Sequence, residues 1–144
     1  MCETIYFVGG SKGGVGKSMV SVALIDHLKN ELGQEVHLVE TDTSNPDVYK
    51  AYRNTVATSL IDIDEADGWV DLANIAGEFP QRTFVVNSAA RSSVGVKSYG
   101  AILNRAVDQL GRRLMTLWVI NRQKDSLVLL KEYLQTMDPK SKII

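Results

Sequence analysis

The chain is short and balanced in charge, and these two properties exclude several classes of protein. Its 144 residues suffice for one ordinary domain. The 16 lysine and arginine residues nearly equal the 17 aspartate and glutamate residues, so net charge gives no support to binding DNA or an anionic membrane. No apolar run approaches the ~20 residues of a membrane span. Cys2 is the only cysteine, so no intramolecular disulfide can form, and the start Met1-Cys2-Glu3 lacks the basic segment of a signal peptide. These features predict a cytoplasmic protein.

Apolar runs typical of strands alternate along the chain with segments of helical periodicity. The predicted strands are residues 5–8, 36–40, 58–61, 83–86 and 114–120. The predicted helices are residues 19–32, 46–53, 69–79, 97–110 and 126–137. Asn45 is expected to cap the second helix, with Pro46 at its first helical position. The alternation predicts one α/β domain over residues 1–144, with a largely parallel sheet flanked by helices on both faces.

The segment between the first strand and the first helix has the composition of a phosphate-binding loop. Residues 12–18 read K-G-G-V-G-K-S. The glycines let backbone N–H groups turn inward around an anion, and the start of the helix adds partial positive charge. Lys17 can reach β- and γ-phosphate oxygens, and the Ser18 hydroxyl can ligate Mg²⁺. The strict Walker A pattern, G-x-x-x-x-G-K-S/T, has glycine where this chain has Ser11, so it fails by one residue.

With its second lysine, Lys12, the segment resembles the deviant Walker A loop of the ParA/MinD family of P-loop ATPases. The resemblance implies a P-loop NTPase-like fold, ATP or ADP and Mg²⁺ as cofactors, and a nucleotide-dependent homodimer. It implies that Lys12 reaches the nucleotide of the partner and that both Lys12 and Lys17 are catalytic. The nucleotide-binding residues implied in this way are Ser11, Lys12, Gly13, Gly14, Val15, Gly16, Lys17, Ser18 and Met19.

Two acidic residues, Glu40 and Asp42, end the second predicted strand. In the ParA/MinD family this strand ends in D-x-D, and the second aspartate orients or polarises the attacking water. The resemblance gives that catalytic role to Asp42 and the first position to Glu40. The geometry suits this role, because a carboxylate at the carboxyl end of a parallel strand points into the ligand crevice. The alternative is a strand end with solvated acids and an Asx-type helix cap.

The fourth predicted strand is followed by Asn87, where the family has an aspartate that holds the Mg²⁺ shell. An amide oxygen can accept a hydrogen bond from a metal-bound water, but it brings no negative charge. Asn87 and Ser18 are therefore the candidate metal residues, and this departure puts metal affinity and turnover in question. The loop after this strand, residues 88–93, consists mostly of small residues, and by its resemblance to phosphate-switch ATPases it is expected to sense the γ-phosphate. This layout resembles the TraL-type conjugal-transfer ATPases, a ParA-like branch.

The last five residues look like a strand that is cut off as it begins. Members of the ParA/MinD family continue well beyond this point, through the strand and loop that hold the adenine. The resemblance therefore implies the N-terminal part of the fold or a shortened member. Its sheet is expected to have an exposed edge, which could pair with another chain.

Two functions remain in competition. The first is a slow ATPase that acts as a nucleotide-dependent dimer switch in plasmid partition or conjugal DNA transfer, with a partner protein in that process. The second is a non-hydrolysing nucleotide-binding or assembly module that works through a partner, and Asn87 favours it. ATP hydrolysis that is abolished by Asp42→Ala would exclude the second function. A failure to bind ATP or ADP would exclude both.

Overall fold

A computed structural model describes residues 3–10, 16–89, 93–137 and 141–144. The described residues form one sheet with the strand order β3-β2-β4-β1-β5-β6, in which each pairing is parallel. The strands are β1 (Ile5–Gly10), β2 (Val36–Glu40), β3 (Ala57–Leu60), β4 (Thr83–Asn87), β5 (Leu114–Val119) and β6 (Ser141–Ile143). The helices are α1 (Lys17–Asp26), which continues into a π-helical turn (His27–Glu31), α2 (Asp47–Tyr52), α3 (Ala66–Glu78), α4 (Ser93–Leu110) and α5 (Lys124–Met137).

Helices cover both faces of the sheet, as the sequence predicts. On one face, Ile25 of α1 and Val48 of α2 pack against alternate strand residues such as Val8. On the other face, α3, α4 and α5 contribute a larger core that includes Trp69, Leu103 and Tyr133. Both β2 and β4 are buried along their whole length, as is typical of central strands in a parallel sheet. The α/β prediction is therefore confirmed.

The strand order determines where a ligand can bind. β4 lies between β1 and β2, and the register pairs Asn87 with both Val8 and Glu40. The helix α1 leads away from β1 towards β2, whereas α4 leads from β4 across to β5 on the opposite face. Ligands bind at such a switch point, in the crevice outside the carboxyl ends of the strands. The carboxyl end of β1 and the polar carboxyl ends of β2 and β4 therefore lie side by side at one edge of the sheet.

The start of α2 differs from the expectation. Pro46 has a ψ of 62°, which is not helical, and Asp47 is the first helical residue. Asn45 does not cap the helix backbone, since its side chain donates to the Asp47 carboxylate instead. The physical reason is the carboxylate of Asp42, three residues before Asn45. Asp42 Oδ1 accepts the backbone N–H of Asn45, so this carboxylate organises the turn that precedes α2. The predicted cap and the predicted position of Pro46 were wrong.

The last strand of the sheet, β6, pairs with β5 at one edge, in agreement with the strand expected at residues 140–144. Among the residues that the structure describes, no helix combines the length and the apolar character that a membrane crossing requires.

Candidate functional site

The predicted phosphate-binding loop joins β1 to α1, and the structure describes only its second part. The part outside the described residues is Ser11, Lys12, Gly13, Gly14 and Val15. Gly16 adopts a left-handed conformation, with φ 102° and ψ 13°, which glycine accepts without steric cost. The helix α1 then starts at Lys17, and its first turn, with Ser18 and Met19, contains no acidic residue. Because the first N–H groups of a helix have no partner within it, this helix start is suited to bind an anion.

The structure brings Lys17 and Asp42 together, the two predicted catalytic residues that it describes. Lys17 is only 6 % exposed. Burial lowers the pKa of Lys17, while the negative charge of Asp42 opposes that change. The half-buried Asp42 is itself held in place, since its Oδ1 accepts the hydroxyl of Ser44 at 2.8 Å and the N–H of Asn45 at 3.0 Å. An ammonium group at a helix start favours an anionic ligand, because its charge and the partial charge of the helix N-terminus are both positive.

Glu40 is a further polar residue of this edge, and the sequence did not reveal its contacts. It is fully buried, with 0 % exposure. Its Oε1 accepts the Asn87 amide at 3.0 Å and the N–H of Asp42 at 3.1 Å, and its Oε2 accepts the N–H of Tyr49 at 3.3 Å. Burial raises the pKa of the Glu40 carboxyl, and these three hydrogen bonds act against that rise. The available sequence signal was a carboxylate at the end of a largely apolar strand.

Asn87 connects β4 to its neighbours on two sides. Its Oδ1 accepts the hydroxyl of Ser21 at 2.7 Å, and its Nδ2 donates to Glu40. Ser21 lies about one turn after Ser18 on α1, so Asn87 contacts this helix below its N-terminus. A carbonyl oxygen has two lone pairs, so Asn87 Oδ1 can accept one further hydrogen bond.

The side-chain oxygen atoms at this edge suit Mg²⁺ that takes most of its ligands from phosphate and water better than they suit a metal ion held by protein ligands alone. Ser18 offers a hydroxyl, Asp42 a carboxylate and Asn87 an amide oxygen. Mg²⁺ prefers oxygen ligands and usually takes most of them from phosphates and water. Among the described residues, no cluster of three or more His, Cys, Asp or Glu side chains is arranged to hold a metal ion. By their chemistry, these oxygen atoms are compatible with a Mg²⁺ ion that arrives with a phosphate ligand.

The segment after β4 is tied to both neighbouring strands where it begins. Thr41 Oγ1 donates to Asn87 O and accepts the N–H of Ala89, each at 2.9 Å. Ser88 Oγ donates to Val8 O at 2.7 Å. The middle of the predicted γ-phosphate loop, residues 90–92, lies outside the described residues. The first residues of this loop, Ser88 and Ala89, are therefore held to both neighbouring strands by hydrogen bonds.

Comparison with known proteins agrees with this geometry. Residues 6–143 match a family described as the CobQ/CobB/MinD/ParA nucleotide binding domain. Protein MobD from Acidithiobacillus ferrooxidans is 54 % identical to this chain over 137 residues, which cover 95 % of the chain and 60 % of MobD. The chain thus spans about 60 % of the length of this curated relative.

Two solved structures share the architecture at low sequence identity. A de novo designed protein with a P-loop NTPase fold superposes with a TM-score of 0.62 at 9 % identity, over 99 % of this chain and 82 % of the designed one. The cell division protein FtsY from Thermotoga maritima superposes with a TM-score of 0.68 at 18 % identity, over 96 % of this chain and 50 % of FtsY. At such identities the likeness concerns the fold alone, and this fold is the predicted P-loop NTPase fold.

Proposed function

The chain belongs to the CobQ/CobB/MinD/ParA nucleotide-binding domain family, and on that basis we propose that it is an ATP-binding ATPase of the ParA/MinD type. In this proposal it acts as a nucleotide-dependent dimer switch in plasmid partition or conjugal DNA transfer. The observation that carries the proposal is the buried Lys17 at the start of α1, next to Asp42. A lysine ammonium at the start of a helix adds its full positive charge to the partial positive charge of the helix N-terminus, and both favour a phosphate ligand.

The proposed chemistry gives each group one role. The N–H groups at the start of α1 and the Lys17 ammonium hold the β- and γ-phosphates. Lys12 of each subunit reaches the phosphates bound by the other subunit, so ATP favours the dimer by contacting both halves. Asp42 orients the attacking water. Ser18, and Asn87 through water, would hold a Mg²⁺ ion, which would supply neutralisation of charge on the phosphate oxygens. Slow turnover is expected of such a switch.

The cellular setting is part of the same proposal. We place the protein in the cytoplasm with a partner protein of the DNA-segregation or DNA-transfer process. The balanced charge of the chain gives no support to direct binding of DNA. Nucleotide-controlled contact with a partner is therefore the simpler arrangement.

A second candidate function is a non-hydrolysing nucleotide-binding or assembly module that works through a partner. One observation favours it: the last residue of β4 is Asn87, an uncharged amide that is already hydrogen bonded to Ser21 and Glu40. Such a module would bind nucleotide through the same helix start without completing a hydrolytic cycle.

The deciding experiment measures ATP binding with Mg²⁺ by calorimetry and the mass in solution by size-exclusion light scattering. The samples are the wild type, Lys12→Ala and the matched control Lys131→Ala, which removes an exposed lysine on α5. A dimer that needs both ATP and Lys12 supports the switch. Binding without dimerisation supports the module. If ATP and ADP fail to bind at millimolar concentration, both functions are excluded.

A further inference from the structure

The proposed function leaves the contact between Glu40 and Asn87 unused, although it lies at the centre of the site. The two residues are direct partners in the parallel register of β2 and β4. Their side chains are 0 % and 3 % exposed, and Asn87 Nδ2 lies 3.0 Å from Glu40 Oε1. Because water does not reach this contact, each polar atom needs its partner within the protein.

Glu40 is surrounded by hydrogen-bond donors. Two of them are backbone N–H groups, from Asp42 to Oε1 and from Tyr49 to Oε2, and the third is the Asn87 amide. Only a side chain with two acceptor oxygens meets all three donors. A glutamine at this position would turn its own NH₂ group towards one of them. The surroundings of position 40 therefore require a carboxylate.

Asn87 faces the opposite requirement on its two sides. It accepts the Ser21 hydroxyl through Oδ1 and donates to Glu40 through Nδ2. An asparagine does both, whereas an ionised aspartate can only accept. An aspartate at position 87 would place a second carboxylate oxygen against Glu40 Oε1, and two buried like charges at that distance repel each other.

We propose that Glu40 is a positioning residue of the phosphate site, and that its carboxylate at the end of β2 makes an amide necessary at the end of β4. Glu40 fixes Asp42 through the backbone N–H of that residue, and it reaches α1 through Asn87 and Ser21. Asn87 is thus the matched partner of Glu40 across the pairing of β2 and β4. The effect on Asp42 rests on the proposed function, but the matching of the pair does not.

The first test is a double-mutant cycle of thermal unfolding without nucleotide. It compares the wild type, Glu40→Gln, Asn87→Asp and the variant with both changes. Asn87→Asp is expected to lower Tm by at least about 5 °C. Adding Glu40→Gln to Asn87→Asp should raise Tm again, because the new amide donates to the new carboxylate. Recovery will be partial, since the glutamine cannot accept both backbone N–H groups. An unchanged Tm in Asn87→Asp, or no recovery in the double variant, would overturn the matching.

The second test asks whether Glu40 acts through Asp42. In Glu40→Gln, kcat for ATP hydrolysis should fall at least about tenfold while the Kd of ATP changes less than about threefold, since Lys17 and the helix start remain. Exposed positions on α3 provide matched controls, Glu78→Gln and Asn74→Asp. An unaltered kcat in Glu40→Gln would refute the positioning role. A higher kcat in Asn87→Asp would show that the site works better with an acid at position 87. That result would refute the claim that Glu40 requires an amide there.

The two tests separate this inference from the proposed function. If the wild type binds no ATP, the proposed function fails, and the unfolding cycle still decides whether Glu40 and Asn87 are matched. If the wild type binds and hydrolyses ATP but the cycle shows no coupling, the inference fails alone.

Discussion

Trp118 occupies the space above Gly9 that a side chain at position 9 would need. The two residues are direct partners in the parallel register of β1 and β5. A Cβ atom built on Gly9 would lie 2.8 Å from Cζ3 of the indole and 2.9 Å from Cε3. The indole therefore lies over the strand residue that comes shortly before the predicted phosphate loop.

Gly9→Ala should therefore destabilise the protein by about 1–3 kcal/mol, since the indole must move and the core on that face is closely packed. Urea unfolding measures this change. Gly77→Ala is the matched control, because a Cβ at that exposed position of α3 meets its nearest atom at 3.4 Å. The control should be neutral or stabilising by up to about 1 kcal/mol. Equal losses in both variants would show that the contact with Trp118 is not the cause.

His37 should make the protein less stable as the solution becomes acidic. Burial, and to a smaller extent the charge of Arg82, lower its pKa to about 4. Between the ordinary value near 6.5 and about 4, the unfolded chain binds a proton that the folded protein does not. Stability is therefore full above this window and falls as the pH decreases through it, by up to about 3 kcal/mol.

The measurement for His37 is the free energy of unfolding at several pH values between 7 and 4. His37→Gln should flatten this dependence, because glutamine does not titrate. His27→Gln serves as the control, since His27 is exposed and pairs with Glu31 on the same helical turn. A slope that persists in His37→Gln would assign the acid sensitivity to other groups.

Arg112 should be one of the strongest single contributors to stability. Its guanidinium is buried and donates to the backbone carbonyls of Ala76, Phe79, Arg82 and Glu3 at 2.7–3.2 Å. If the guanidinium is removed, these carbonyl groups lose their hydrogen-bond donor. Arg112→Met should therefore cost more than about 3 kcal/mol in urea unfolding.

The neighbouring Arg113 provides the comparison, because its side chain is exposed. Arg113→Met should change the free energy of unfolding by no more than about 0.5 kcal/mol. Similar losses in the two variants would mean that the carbonyl contacts of Arg112 contribute little.

Asp42→Asn tests the catalytic assignment without altering the size of the side chain. In the proposed mechanism, kcat for ATP hydrolysis should fall about 100-fold, because the amide orients the attacking water less well. The Kd of ATP should change less than about threefold, since Lys17 remains. Phosphate release and calorimetry measure the two quantities. Asp62→Asn, at an exposed position, should leave both unchanged. An unaltered kcat in Asp42→Asn would remove Asp42 from the mechanism.

Local patterns in the sequence predicted the fold well. The apolar runs of parallel strands and the helical periodicities are properties of short segments, so the order of elements could be predicted from them. The glycines and Lys17 likewise predict a phosphate loop, because the signature of such a loop is a run of consecutive residues. Both kinds of signal are local in the chain.

The contacts of Glu40 could not be predicted in this way. They depend on β4 lying beside β2, and nothing in either segment specifies that pairing. Asn87 therefore looked like a missing acid when considered alone, whereas in the structure it donates to Glu40. The predicted start of α2 was wrong for a similar reason. The carboxylate of Asp42 organises the turn in which Pro46 was expected to begin the helix.

The insertion of β4 between β1 and β2 also has a consequence for the timing of folding. β1 and β2 are not neighbours, and each pairs with β4 at this edge of the sheet. During synthesis from the N-terminus, the ribosome releases the phosphate loop and Asp42 long before it releases Asn87. Until β4 has been synthesised, no strand pairs with both β1 and β2, so these two strands are not held together. Because such non-local pairings form slowly, nucleotide capture should be a late event, and a labelled nucleotide would report when the nascent sheet closes.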